Sequence, residues 1–349
     1  MSVGKIRSLG EEALSQRKYT EAASYYSQAC EMEPQNAANY YKLYRVHSRM
    51  KQTMNAITDL NNAIDLDPTK TLYRKERAKA LVSVGQCEQA VEDYNAIPKA
   101  EQHEIGTEDL AAAHHCEDEV GLATKAYLEE KYDTTLQHLN QALMYADQAL
   151  DLFYMKAVSS FHTGDYYTAV SETGKVLKAR NSHLDAYKLR GDSYYKLGEY
   201  DTAINHYREG LKQDPEHKGC KAGHKKIKNM RKKVKKGDDA AKANNHDDAL
   251  KYYWQAIDMD PSHVLFKKTT MLSIIKSLSA SGSHDKAIKE AENRLTMGAP
   301  ELDDYFVVGE TQLDGEKYDD AIRTFRNAME SAVSFIRFLK NFFFFSTLI

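Results

Sequence analysis

Proline, glycine, cysteine and tryptophan are all thin in this chain, and each scarcity narrows what it can be. Only 6 prolines and 17 glycines occur in 349 residues, which excludes a collagen-like, proline-rich or low-complexity disordered protein. The four cysteines, Cys30, Cys87, Cys116 and Cys220, are scattered without a C-x-x-C pair. They define neither a disulfide framework nor a zinc knuckle, although they do not exclude an oxidising compartment. No apolar run approaches the ~20 residues of a membrane-spanning helix. Met1–Gly10 lacks the apolar segment of a secretory leader and already reads as the start of a helix. The phosphate-cradling G-x-x-x-x-G-K-[ST], the nucleophile elbow G-x-S-x-G and the zinc-protease H-E-x-x-H are all missing. No catalytic residue, cofactor or enzymatic activity is therefore expected.

What the chain does have is a repeated phrase. Tyr200 to Pro215 reads YDTAINHYREGLKQDP, and the same punctuation occurs thirty-four residues earlier from Tyr166 and again from Tyr132. With Tyr200 set at position 17 of the unit, position 20 holds Ala22, Ala56, Ala90, Thr135, Ala169, Ala203, Ala249, Ala287 and Ala321. Position 24 holds Tyr26, Leu60, Tyr94, Leu139, Thr173, Tyr207, Tyr253, Ala291 and Phe325, and position 27 includes Ala29, Ala63, Ala142, Ala256 and Ala328. Offsets of four and seven put these positions on one helical face. Small residues let two helices approach, and the large one fills the gap between them. Pro34, Pro68, Pro215 and Pro261 recur at position 32, where proline ends a helix. Gly85-Gln86, Gly164-Asp165 and Gly198-Glu199 mark turns inside the unit.

This unit resembles the tetratricopeptide repeat, a helix–turn–helix of thirty-four residues. The resemblance implies an all-α solenoid, a right-handed superhelix of about nine repeats, beginning near residues 3, 37, 71, 116, 150, 184, 230, 268 and 302. Extra helical residues at about 105–115 and 218–229 predict long connecting helices. The expected organisation is three blocks of three repeats, 3–104, 105–217 and 218–334, followed by an atypical phenylalanine-rich tail, 335–349. That tail is expected to cap the last repeat rather than enter a membrane.

The junction from Pro215 to Lys228 (PEHKGCKAGHKKIK) and the final repeat's Glu316–Ile322 (EKYDDAI) are more particular. They resemble the endoplasmic-reticulum co-chaperones that join nine such repeats to a J domain, also known as inhibitors of the double-stranded-RNA-activated kinase. The resemblance implies binding of unfolded or misfolded polypeptides, a place in the endoplasmic-reticulum lumen beside the seventy-kilodalton heat-shock chaperone, and modulation of stress kinases. Two departures qualify it: the sequence starts inside the first repeat, and no His-Pro-Asp occurs. A genuine lack of a leader would imply a cytoplasmic protein, and the competing expectation is a cytoplasmic scaffold joining folded partners.

The concave surface of such an array is lined mainly by positions 2, 5, 6, 9, 12 and 13 of each unit. The subclass that grips C-terminal carboxylates needs lysine, asparagine and arginine there, and this chain has Arg7, Glu11, Lys42, Leu72 and Glu76. Two acids would repel a carboxylate, so no carboxylate clamp is expected. Leu14, Tyr41, Leu72 and Val82 instead suggest an apolar lining for hydrophobic client segments, while Tyr44 and Trp254 are expected in the core.

Net charge is −3, yet residues 218–236 carry ten Lys/Arg and no acid, leaving about −13 elsewhere. Lys225, Lys226, Lys228, Arg231, Lys232, Lys233, Lys235 and Lys236 form a basic helix. It reads as a solvated linker, with an acidic partner as the alternative. Nucleic acid is disfavoured because no aromatic residue is interleaved for stacking. His217, Cys220 and His224 could share a helix face, but ten neighbouring cations would repel a metal. His114, His115 and Cys116 point different ways, so no metal site is expected.

Overall fold

Alanine recurring at positions 20 and 27 beside a larger residue at 24 suits a close crossing of two helices, and the described helices pair off into hairpins. The computed structural model describes residues 1–101 and 106–330, and among them there are helices and no strands. The chain divides into two compact units, Met1–Asn181 and Ser182–Ile349. In the first, five hairpins follow one another: α1 (Val3–Ser15) with α2 (Tyr19–Met32), α3 (Ala37–Arg49) with α4 (Thr53–Leu66), α5 (Thr71–Ser83) with α6 (Cys87–Asn95), α7 (Thr107–Leu128) with α8 (Tyr132–Ala142), and α9 (Leu150–His162) with α10 (Tyr166–Ala179). The second unit holds four hairpins: α11 (Leu184–Lys196) with α12 (Tyr200–Gln213), α13 (Lys218–Lys242) with α14 (His246–Ile257), α15 (Val264–Ala280) with α16 (His284–Leu295), and α17 (Leu302–Asp314) with α18 (318–330). The two insertions read from the sequence correspond to α7, with 22 residues, and α13, with 25.

All nine position-20 residues are buried, from Ala22 to Ala321. Position 24 is buried in eight of nine repeats, with Phe325 half-buried. Tyr44 is buried and Trp254 packs against the core around Tyr253. The structure adds a rule linking position 24 to position 8 of the preceding helix. Where position 24 is aromatic, position 8 is small: Gly10 faces Tyr26, Gly191 faces Tyr207, Gly237 faces Tyr253 and Gly309 faces Phe325, and Ala78 shares a cluster with Tyr94. In two of the four repeats where position 24 is not aromatic, position 8 is large: Tyr44 packs with Leu60, and Ile275 with Ala291; in the other two it is Ala123 and Ala157. An aromatic ring at position 24 thus takes the space that position 8 gives up, as close-packed interiors require.

The turns also obey one geometry. In every repeat one residue between the two helices adopts positive φ: Arg17, Lys51, Gly85, Glu130, Gly164, Gly198, Asn244, Gly282 and Glu316. In eight of the nine the following N–H donates to a carbonyl five residues back, as Lys18 does to Ala13 and Lys131 to Ala126, both at 2.9 Å. This is the Schellman closure of a helix, which favours glycine. Lys51 and Glu130 hold it at φ 58° and 55°, a conformation that costs an L-residue about 1–2 kcal/mol. Glycine loses more entropy on folding, so Lys51→Gly and Glu130→Gly are each expected to raise stability by about 0.5–1 kcal/mol. Asn244→Gly should give less, because asparagine tolerates this region. Urea midpoints of the three variants check the order; a loss of stability in the first two would refute it.

Candidate functional site

A concavity of about 810 Å³ in the first unit is built from the first three hairpins. Leu14 reaches it from the last turn of α1 and Arg17 from the turn that follows, Tyr41, Tyr44, Arg45 and Arg49 from successive turns of α3, and Glu76 from α5. Positions 5, 8, 9 and 13 of a helix lie along one side of it, which is why α3 supplies half the wall. The aromatic part is tightly organised. The Tyr41 ring lies 5.4 Å from that of Tyr44 and 5.1 Å from that of Tyr73, and the Tyr44 hydroxyl donates to Glu76 Oε2 at 2.6 Å. Burial, and then Glu76, push the Tyr41 and Tyr44 phenols above their ordinary range. Arg17, Arg45 and Arg49 are exposed, and their guanidinium groups make no hydrogen bond or ion pair to a described residue. The groove therefore combines tyrosine faces with three unpaired guanidinium groups, against one carboxylate that is already engaged. Such a surface can stack on aromatic and apolar side chains and attract acidic ones.

The expected lining residues fall in three places. Leu14 and Tyr41 share the groove. Leu72, 39% exposed, stands at the first turn of α5 and does not line it. Val82 is half-buried and packs against two core clusters, one of them containing Cys87 and Cys116. Arg45 and Arg49 occupy positions 9 and 13, both concave positions, so their place was readable in the repeat frame. Arg7 and Lys42, the two cations at the clamp positions, are committed internally. Arg7 donates to Asn39 Oδ1 at 2.8 Å and pairs with Glu33, and Lys42 pairs with Glu11, whose carboxyl is held below its usual range by that lysine.

The scattered cysteines require a correction. Cys87 and Cys116, 29 residues apart, are joined by a disulfide that ties α6 to α7, with Cα atoms 5.8 Å apart. Neither spacing nor motif marked them; the fold brings them together. Cys30 and Cys220 are buried free thiols, and burial pushes both up to about 11. The His217–Cys220–His224 face is a capping arrangement: His217 Nδ1 accepts the Cys220 N–H at 3.3 Å at the start of α13. Among the described residues no group of three or more His, Cys, Asp or Glu could hold a metal ion.

The basic helix is not uniformly solvated. Lys226 donates to Asp260 Oδ2, alongside the Tyr195 hydroxyl at 2.9 Å. Arg231 pairs with Asp201, Lys233 donates to Gln255 at 2.6 Å, and Lys233 and Lys236 lie over the Tyr252 ring. Lys225, Lys228, Lys232 and Lys235 are exposed and unpaired among the described residues. The expected tail, 335–349, lies outside the described residues. No described helix is long and apolar enough to cross a membrane.

Comparison with known proteins agrees with the fold. Tetratricopeptide-repeat family models match residues 184–217 and 8–36. The DnaJ protein P58IPK homolog B of Oryza sativa subsp. japonica is 27% identical over 275 residues, 78% of this chain and 58% of that protein. The DnaJ homolog subfamily C member 3 of Gallus gallus is 22% identical over 237 residues, 66% of this chain and 47% of its own. The chain spans about half the length of the curated relatives it matches. The crystal structure of the P58(IPK) TPR domain superposes with a TM-score of 0.72 at 23% identity, covering 94% of this chain and 92% of that one. The fold is a tetratricopeptide-repeat solenoid.

Proposed function

We propose that this tetratricopeptide-repeat protein is a co-chaperone-type binder that holds unfolded or misfolded segments of other polypeptides in the groove of its first unit. The observation that carries the reading is the groove itself, where Leu14, Tyr41 and Tyr44 lie beside the unpaired Arg17, Arg45 and Arg49. Non-native chains expose apolar and aromatic side chains interspersed with charge, and this lining meets both. Likeness to P58IPK-named proteins supports a chaperone-related role, and from it come the proposed partners, a seventy-kilodalton heat-shock chaperone of the endoplasmic reticulum and stress kinases. The Cys87–Cys116 bond supports the lumen as the compartment, since such bonds persist where the surroundings are oxidising.

The test is suppression of aggregation of a chemically denatured model protein. Wild type should suppress it, whereas Arg45→Glu/Arg49→Glu and Leu14→Asp should each need several-fold more protein for the same effect. Circular dichroism confirms that the variants remain folded. Folded variants as effective as wild type would refute the groove, and capture of only folded partners would favour a scaffold. Thiol labelling of the protein from its own cells, denatured without reductant, should tag Cys30 and Cys220 alone; four tagged cysteines would remove the support for the lumen.

A further inference from the structure

The second unit carries a separate surface on α13 that this function does not use. Its inward seam consists of Cys220, Ile227, Met230 and Gly237, all buried, with Val234 packed beside them. Two residues before each of these stands a lysine: Lys218, Lys225, Lys228, Lys232 and Lys235. Two residues are about 200° around a helix, so this second seam projects directly away from the core. All five lysines are exposed, and none of their ammonium groups makes a hydrogen bond or ion pair to a described residue. Lys221 falls on the same line and reaches only the exposed Glu216, at 3.1 Å.

The pattern runs 3-4-3-4 along the helix, so each lysine has like-charged neighbours where a solvated helix usually alternates sign. Repulsion along the seam opposes the helix and is relieved by an anionic partner. The seam extends about 26 Å, with a charge roughly every 5 Å. At Lys228 it opens on a small concavity of about 300 Å³ that also contains Arg208, whose guanidinium likewise makes no ion pair to a described residue. The neighbouring His224 imidazole is held below its usual range by burial and then by Lys228 and Arg208, which registers the concentration of positive charge there.

We infer that the outward lysine seam of α13, from Lys218 to Lys235 with Arg208 beside it, is a docking surface for an acidic polypeptide tract. Carboxylates fit better than a nucleic acid. The helix contains no aromatic residue for base stacking. Its one arginine, Arg231, which could fork onto a phosphate, is already paired with Asp201. Lysines are point charges on flexible stems, suited to a run of Asp and Glu without fixed geometry.

The intact chain is titrated with a fluorescein-labelled twelve-residue poly-glutamate peptide at low ionic strength. Binding is expected, weakening at least about tenfold as salt rises from about 50 to 300 mM. Lys225→Gln/Lys228→Gln/Lys232→Gln should lose about tenfold in affinity. Lys251→Gln/Lys286→Gln/Lys289→Gln removes the same charge from exposed lysines elsewhere in the second unit, and should bind like wild type. Equal losses in the two triple variants would reduce the effect to net charge and overturn the site. Absence of peptide binding would overturn it too, as would tighter binding of a single-stranded oligonucleotide or phosphatidylserine vesicle of matched charge. None of these results depends on the groove of the first unit, so either reading can fail alone.

Discussion

Gly191→Leu is expected to destabilise the second unit by about 3 kcal/mol or more, the upper range for overpacking a well-filled core. A β-carbon at Gly191 would sit 2.6 Å from the Tyr207 ring, and one at Gly223 on α13 would sit 2.4 Å from the same ring. The tyrosine is thus held between two helices at sites where neither carries a side chain. It is 1% exposed, and its hydroxyl donates to Asp192 Oδ1 at 2.6 Å, so it has nowhere to move. The chain itself indicates the compensating change, since in another hairpin Ala123 packs with Leu139. Gly191→Ala should be costly in wild type and less so with Tyr207→Leu, with a coupling of about 1 kcal/mol in the double-mutant cycle. Urea unfolding of the four proteins measures it. Strict additivity would mean that positions 8 and 24 do not exchange volume as argued.

That volume exchange also shows what the sequence could reveal. Ala22, Ala56, Ala203 and Ala321 announced the tight helix contact, because alanine recurring at a fixed period suits a close crossing of helices and little else, and all four are buried. Proline marked the junctions for a local reason, its lack of an N–H, and none of the six falls within a described helix. Position 8 was harder to read because it varies from Gly10 to Tyr44 to Ile275; what is regular is that an aromatic residue at position 24 meets glycine or alanine there, and a pair is a property of packing. The Cys87–Cys116 bond escaped for the same reason, since it joins two helices whose proximity follows from the stack. Sequence marked α13 as basic but could not sort its charges. Lys226 and Lys225 are adjacent, yet one reaches Asp260 and the other faces solvent. The groove was legible in outline through Leu14 and Tyr41. Its cationic character rests on Arg45 and Arg49 remaining unpaired while Arg7 and Lys42 are neutralised, a difference set by which acids each side chain can reach.

Asp304 gives the largest expected loss from a single polar change. It is 1% exposed and accepts from Lys268 Nζ at 2.7 Å, while Arg294 Nε lies 2.8 Å from its other oxygen. The Glu301 N–H also donates to it at 2.9 Å, closing the capping box that starts α17. One carboxylate therefore ties together α15, α16 and α17, and Lys268 and Arg294 are themselves buried. Asp304→Asn leaves two buried cations uncompensated, which typically costs about 3–5 kcal/mol. Burial raises the carboxyl's pKa, but the hydrogen bonds from Lys268 and Glu301 and the charges of Arg294 and Lys268 outweigh it, so it lies below the usual aspartate value. A group depressed in the folded state stabilises above its unfolded pKa, near 4, and that stabilisation is lost as pH falls through the folded value. Wild type should accordingly lose stability below about pH 4 more steeply than Asp304→Asn, in urea midpoints taken from pH 7 to 3. A parallel pH dependence in the two proteins would show that Asp304 is not ionised in this setting. The triple variant Lys268→Met/Arg294→Met/Asp304→Leu separates charge from packing. It removes the desolvation cost along with the attraction, and should recover most of the loss seen in Asp304→Asn.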